Sequence, residues 1–234
     1  MVSEIMLQQT QTSRVEKFYK AFLHTFPTVK MLAQSENKIV LQLWQGLGYN
    51  RRALSLKRSA EIVYTKHNGI VPNTGNKLME LPGIGDATAG AIMCYAFGKP
   101  IPFIETNIRT VYIHEFINNK ENVSDRELLP YVTKTLDSNN PREWFYAVTD
   151  YGVYLKKTVG NKSRRSKHYT KQSKFEGSNR QKRSKILKAI LINPMSLEEI
   201  KSQTKLSDKE INKPLNQLID EKFIIRKRDK YHMI

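Results

Sequence analysis

The chain has 234 residues, enough for one large domain or two small ones with a proper core. Lysine and arginine number 39 against 22 acids, a formal net charge of +17, so the expected partner is a polyanion, nucleic acid before an acidic membrane surface. Hydrophobic residues at 39 % exclude wholesale disorder, and the single cysteine, Cys94, excludes an internal disulfide framework or a four-thiolate metal site built by one chain. No apolar run approaches the roughly 18 residues of a membrane span and nothing resembles a signal peptide, so the expected location is the cytoplasm, on the nucleoid.

Residues 1–155 read as helix after helix. Val15, Phe18, Tyr19, Phe22 and Leu23 follow the 3.6-residue period. Ile39, Leu41, Leu43 and Trp44 mark a second helix, Ala53 to Val63 a third, and Leu78 leads into a fourth. Asp86 to Phe97 is apolar or small on most faces, which predicts a buried, closely packed helix. Pro27, Gly46, Gly48, Pro72, Gly75, Gly98 and Pro100 fall between these segments as punctuation. From Lys156 to Lys185 there are twelve basic residues against one acid, Glu176, with few apolar side chains between them. Residues 156–179 are therefore expected to be a basic linker, either lying on phosphate or serving as a solubilising tether.

Residues 180–234 predict a different unit. Ile186, Leu187, Ile190 and Leu191 form an amphipathic helix stopped at Asn193 and Pro194. Capping boxes beginning at Ser196 and Ser207 open two more helices. Phe223 to Arg228 and Tyr231 to Ile234 then read as a two-strand wing. Three helices and a hairpin predict a winged helix-turn-helix module, a type that binds DNA or protein.

The most specific local motif is Leu81-Pro-Gly-Ile-Gly85, followed by an alanine-rich helix. Gly83 and Gly85 let the backbone turn tightly and present N–H groups at a helix N-terminus, which suits a DNA phosphate. It is similar to the hairpin of helix-hairpin-helix proteins. Ser3-Glu-Ile-Met-Leu-Gln-Gln-Thr-Gln11, Leu43-Trp-Gln-Gly-Leu-Gly-Tyr49, Thr88-Ala-Gly-Ala-Ile92 and Pro102-Phe-Ile-Glu-Thr-Asn107 follow in order. Together they resemble the MutY-like adenine-DNA glycosylases of the helix-hairpin-helix/Gly-Pro-Asp superfamily, over roughly residues 2–155.

The resemblance implies a mainly α glycosylase domain and a role for each matched residue. Glu4 matches the catalytic acid that protonates the flipped adenine at N7 and then positions water. Burial near Ile5, Met6 and Leu7 is expected to raise its pKa. Glu105 stands where the family has the aspartate that stabilises the oxocarbenium ion. Its extra methylene moves the carboxylate by about 1–1.5 Å if the backbone holds, an error that can cost on the order of 100-fold in rate. Asn107 matches the asparagine that orients that acid, and Asp150 falls where an acid lies near the adenine pocket. Gln8, Gln9 and Thr10 match a loop that wedges into the base stack and faces the opposite base. Leu47, Gly48 and Tyr49 match a second intercalating loop, here expected as an exposed tip. Leu81, Gly83 and Gly85 would hold phosphate, as would Arg164, Arg165, Lys167, Lys171 and Lys174 in the basic stretch.

Ala87 occupies the position of the nucleophilic lysine in relatives that also cut the strand, which implies a monofunctional enzyme. The family's 4Fe–4S cysteines and Nudix-like domain have no counterpart, so no cofactor is expected beyond a monovalent cation at the hairpin carbonyls. Relatives carry a longer segment before the catalytic acid, so either an upstream piece is missing or the site is more open. The expected activity is excision of adenine opposite guanine or 8-oxoguanine, by a monomer acting on mispaired double-stranded DNA without membrane contact. The alternatives are a mismatch thymine or uracil glycosylase, and a non-catalytic DNA-binding protein on the same scaffold.

Overall fold

A computed structural model describes all 234 residues. Ten α-helices come first: α1 Val2–Leu7, α2 Thr12–Thr25, α3 Val29–Gln34, α4 Asn37–Leu43 and α5 Arg51–Lys66, then α6 Gly75–Met79, α7 Asp86–Phe97, α8 Thr106–Phe116, α9 Asp125–Thr135 and α10 Pro141–Thr158. A 3-10 turn at Lys162–Arg165 precedes α11 Asn179–Ile192, β1 Met195–Ser196, α12 Leu197–Thr204, α13 Asp208–Asp220, β2 Ile224–Lys227 and β3 Lys230–Met233. None of the helices is long and apolar enough to cross a membrane.

These elements form two compact units, whose limits differ from the three ranges expected from composition. One holds Met1, Ser3–Ile5 and Val71–Lys171; the other holds Val2, Met6–Ile70 and Gln172–Ile234. In the first, Cys94, Phe103, Ile108, Ile113, Val123, Leu128, Val132, Phe145 and Leu155 build the core, with Phe103 and Phe145 stacked at 4.2 Å. The middle of α7, from Ala89 to Cys94, is buried, as its small residues predict. Ser124 opens α9 with a capping box, its hydroxyl accepting from the Glu127 N–H and the Glu127 carboxylate accepting from the Ser124 N–H.

Residues 156–171 are not a free linker. Val123 donates to the Arg165 carbonyl at 2.9 Å and Lys167 donates to the Val123 carbonyl at 3.0 Å, while Ser163 and Ser166 are buried. Composition missed this because the anchoring is done by backbone and hydroxyl groups, not by apolar side chains.

In the second unit Phe22, Leu41, Trp44 and Leu56 are fully buried, with the Phe22 and Trp44 rings edge to face. Both capping boxes of the C-terminal segment form, at Ser196 and at Ser207. The strands β2 and β3 make the predicted hairpin, and the short β1, which the sequence did not suggest, adds antiparallel to β3 in the order β1-β3-β2. Helices α11, α12 and α13 with this sheet have the element order of a winged helix-turn-helix. Their core is Ile186, Leu187, Ile190, Ile200, Ile211, Leu215, Leu218 and Phe223. The Gln42 amide approaches the Leu191 carbonyl at 3.5 Å, and Arg51 donates to Glu221 at 2.8 Å, so α4 and α5 share this unit with α11 and α13.

Candidate functional site

Two groups of residues carry the chemistry expected of the sequence, one in each unit. The first unit holds the carboxylates. Glu4 lies in α1 with its side chain partly buried and its Oε1 facing the Ser3 hydroxyl at 3.4 Å. Burial pushes its carboxyl pKa up, and the negative charge of Glu105 adds to the rise, while the amino group of Met1 and the Ser3 hydroxyl oppose it. A carboxyl in this setting keeps its proton to higher pH than an exposed glutamate.

Glu105 is the N-cap of α8. Its Oε1 accepts from the backbone N–H of Asn107 at 2.7 Å and of Ile108 at 2.9 Å. Glutamate is a poor cap in general because its chain is long, yet here the extra methylene folds the carboxylate back over its own helix. The carboxylate is therefore held in one place. Asn107 accepts on Oδ1 from the Lys156 ammonium at 2.5 Å. Burial lowers the pKa of Lys156, and the charge of Glu105 partly offsets that. Lys156 lies in the basic stretch read as linker, so its part in this site was not foreseen. The Gly152 position of α10 explains how α8 sits so close: a Cβ there would meet the Asn107 carbonyl oxygen at 2.4 Å. Tyr95 and Cys94 of α7 feel the Glu4 charge as well, and burial pushes the Cys94 thiol up to about 11. Asp150, by contrast, is exposed on α10 and takes no part in the hydrogen bonds that join Glu105, Asn107 and Lys156.

The hairpin belongs to the same unit. Gly83 has φ +82°, a backbone that side chains rarely adopt, and Ile84 donates to the Leu81 carbonyl at 3.2 Å to close the turn. Gly85 caps α7 without a side chain, and Gly83 and Gly85 are both exposed. The Leu81 side chain is 1 % exposed and anchors the turn in the core, so a phosphate contact from Leu81 would be made by its backbone. Among the basic residues, Arg164, Lys167, Lys171 and Lys174 are exposed. Arg165 is not available in the same way. Its guanidinium donates to the carbonyls of Lys120 at 2.7 Å and Ile117 at 3.2 Å, and it faces Glu121.

The second unit holds the two loops. Gln9 and Tyr49 have φ +55° and +48°, left-handed conformations uncommon for side chains of their size. Such strain clusters at sites that must present a residue in a fixed pose. Gln9 is exposed, Gln8 and Thr10 are partly buried, and the Thr10 hydroxyl donates to the Gln8 carbonyl at 3.3 Å. Leu47 overturns the expectation of an exposed tip, being 2 % exposed. The turn folds inward because Trp44 Nε1 donates to the Gly48 carbonyl at 3.0 Å, tucking Leu47 into the core and leaving Gly46 and Gly48 exposed and Tyr49 partly buried.

Arg52 ties the two loops together. Its Nη1 donates to the carbonyls of Met6 at 2.7 Å and Gln8 at 2.5 Å. Its Nη2 donates to the Thr10 hydroxyl at 3.0 Å and to the Gly48 carbonyl at 3.1 Å. Burial lowers its pKa to about 10, which leaves it charged. Arg52 belongs to none of the motifs of the sequence. The available signal was its place on the buried stripe of α5 with Leu56, Ala60 and Val63, where a cation is out of pattern.

A family model described as the HhH-GPD superfamily of base excision DNA repair proteins matches residues 2–130. The adenine DNA glycosylase of Buchnera aphidicola subsp. Baizongia pistaciae is 40 % identical over 158 residues, covering 66 % of this chain and 44 % of its own. The human adenine DNA glycosylase is 40 % identical over 111 residues, 47 % of this chain and 20 % of its own. The chain thus spans less than half the length of these curated relatives. A thermostable thymine-DNA glycosylase structure superposes with a TM-score of 0.60 at 25 % identity, covering 64 % of this chain and 71 % of that one. An endonuclease III–DNA complex gives a TM-score of 0.52 at 21 % identity over 67 % and 72 % of the chains, a likeness of fold. With the family model covering more than half of the residues, and the glycine hairpin and the capped acid of α8 formed, this chain belongs to the HhH-GPD superfamily of base excision DNA repair proteins.

Proposed function

We propose that the chain is a monofunctional DNA glycosylase that, acting as a monomer on double-stranded DNA, hydrolyses the N-glycosidic bond of adenine mispaired with guanine or 8-oxoguanine. The observation that carries this reading is the pair of carboxyl groups in unlike surroundings. Burial raises the pKa of Glu4, so it serves as the acid. Glu105, fixed by two backbone N–H groups at a helix N-terminus, serves as the anion. Glu4 donates its proton to N7 of the flipped base, the base leaves as neutral adenine, and positive charge develops on the sugar. Glu105 stabilises that charge, and Glu4, now a carboxylate, takes a proton from the water that attacks C1′. Asn107, braced by Lys156, keeps the start of α8 in place. Gln9 and Tyr49 of the second unit occupy the gap in the stack, and the hairpin glycines of the first unit take a phosphate. The adenine specificity named for the relatives supports the choice of base.

The test is incubation with duplexes containing A·G, A·8-oxoguanine, G·T or G·U, followed by hot alkali, which cuts abasic sites. Cleavage is expected at the mispaired adenine, and Glu4→Gln is expected to lower the rate on the order of 100-fold or more. The fold shared with a thymine-DNA glycosylase makes thymine the second base to follow, and its release from G·T without adenine release would select that activity. No alkali-labile product with stoichiometric protein would leave a DNA-binding protein without catalysis.

A further inference from the structure

Tyr49 is held by a part of the chain at least 123 residues away in sequence. Its hydroxyl accepts hydrogen bonds from the Gln172 amide and from Nη1 of Arg180. The Arg180 guanidinium lies 5.2 Å from the Tyr49 ring centre and 5.7 Å from that of Phe175, a cation over two aromatic faces. Its Nη2 donates to the Ser173 carbonyl at 2.9 Å, so the guanidinium orders the segment before α11 and the loop before α5 together. A second set of ion pairs fixes this docking. Arg183 of α11 makes a two-pronged contact with Glu221, at 2.6 and 2.5 Å, and Arg51, two residues after Tyr49, donates to the same carboxylate.

Tyr49 sits in a left-handed conformation that its loop alone would not favour. The surroundings must hold it: Arg52 of α5 lies 5.5 Å from the ring centre, and Arg180 reaches both the ring and the hydroxyl. We propose that Arg180 is a positioning residue for Tyr49, so that the segment 172–183 is a working part of the loop that reads the mispair. The proposal rests on the reading of Tyr49 as a stack-inserting residue. It assigns to the C-terminal segment a role in discriminating mispaired from paired DNA, distinct from gripping phosphate.

The experiment uses the full chain in a Glu4→Gln background, which prevents turnover, and duplexes with 2-aminopurine beside an A·G mispair or a matched pair. Wild-type loop residues are expected to unstack the probe and raise its fluorescence at the mispair. Arg180→Met is expected to remove most of that rise and to cut the ratio of mispaired to matched affinity by about tenfold. Arg180→Lys, which keeps a cation beside the ring, is expected to fall between. In a Tyr49→Ala background, Arg180→Met is expected to change neither the ratio nor the fluorescence, because the group it positions is gone. Equal losses on mispaired and matched DNA, or the same loss without Tyr49, would overturn the proposal by making Arg180 a phosphate contact. Lost discrimination in Arg180→Met with no abasic product from the unmodified chain would count against the glycosylase reading alone. Abasic product with discrimination untouched by Arg180→Met would count against this proposal alone.

Discussion

Glu4 and Glu105 have the same side chain, and the fold gives them unlike surroundings. Glu105 has donors within hydrogen-bonding distance, whereas burial dominates at Glu4 and raises its pKa. The sign of the consequence follows from proton linkage. A native state that keeps a proton to higher pH than the unfolded chain binds more protons between the two pKa values. It therefore loses stability as pH rises from the ordinary glutamate value through the raised one, and loses none below both. Glu4→Gln cannot ionise, so it is expected to melt above the wild type at about pH 8 and level with it below about pH 4. With Glu4 as the acid of the proposed reaction, the excision rate is expected to fall on the alkaline side as Glu4 gives up its proton. A melting difference that does not change with pH would mean that Glu4 is solvated in the native protein. The extra methylene at Glu105 also takes its meaning at this scale. Residue type fixes a displacement of about 1–1.5 Å but not its direction, which the helix N-terminus decides by drawing the carboxylate back onto its own first turn.

At the scale of elements, the contact of α10 with the start of α8 sets where that carboxylate points. A Cβ on Gly152 would lie 2.4 Å from the Asn107 oxygen, 2.8 Å from its carbonyl carbon and 2.9 Å from its Cβ. Two of these are backbone atoms, which cannot swing aside. Gly152→Ala is expected to cost about 1–3 kcal/mol through overpacking. By pushing α8 away it is also expected to slow excision on the order of 100-fold, far more than the lost stability implies when the protein remains folded. Melting temperature and single-turnover rate measured on one preparation separate the two effects, and an unchanged rate would detach Gly152 from the chemistry. Elements with their own local signals were legible: the glycine hairpin, the small-residue α7, the capping boxes at Ser196 and Ser207 and the final hairpin all form where the sequence puts them. A glycine-flanked leucine reads as a tip, but the Trp44 indole and the Arg52 guanidinium both donate to the Gly48 carbonyl and hold Leu47 in the core, contacts between side chain and backbone that apolar periodicity does not record.

At the scale of the whole molecule, composition marks segments while contacts between distant segments define units. The Arg51–Glu221–Arg183 cluster joins residues 170 positions apart in sequence, a pairing that hydrophobic periodicity cannot suggest. The same structure divides the basic stretch into two kinds of residue. Lys156 is bound to Asn107, Arg165 to backbone carbonyls, Arg180 to Tyr49, Lys182 to Glu210 and Arg183 to Glu221. Arg164, Lys167, Lys171 and Lys174 remain exposed and carry charge that nothing on the protein neutralises as closely. If each of these four touches a phosphate, each releases counterions, and log K should fall against log salt by roughly 0.9 per contact. Neutralising all four together is then expected to flatten the slope by about 3–4 while leaving the preference for one mispair over another unchanged, because phosphate contacts position without specifying. Neutralising Arg165 is expected to act differently, lowering the melting temperature through its lost carbonyl contacts more than it alters the slope. Binding isotherms over a range of salt check both. A slope untouched by the fourfold change would make this stretch a tether and leave the phosphate grip to the hairpin glycines, whose backbone N–H groups carry no net charge and should bind with a shallower dependence on salt.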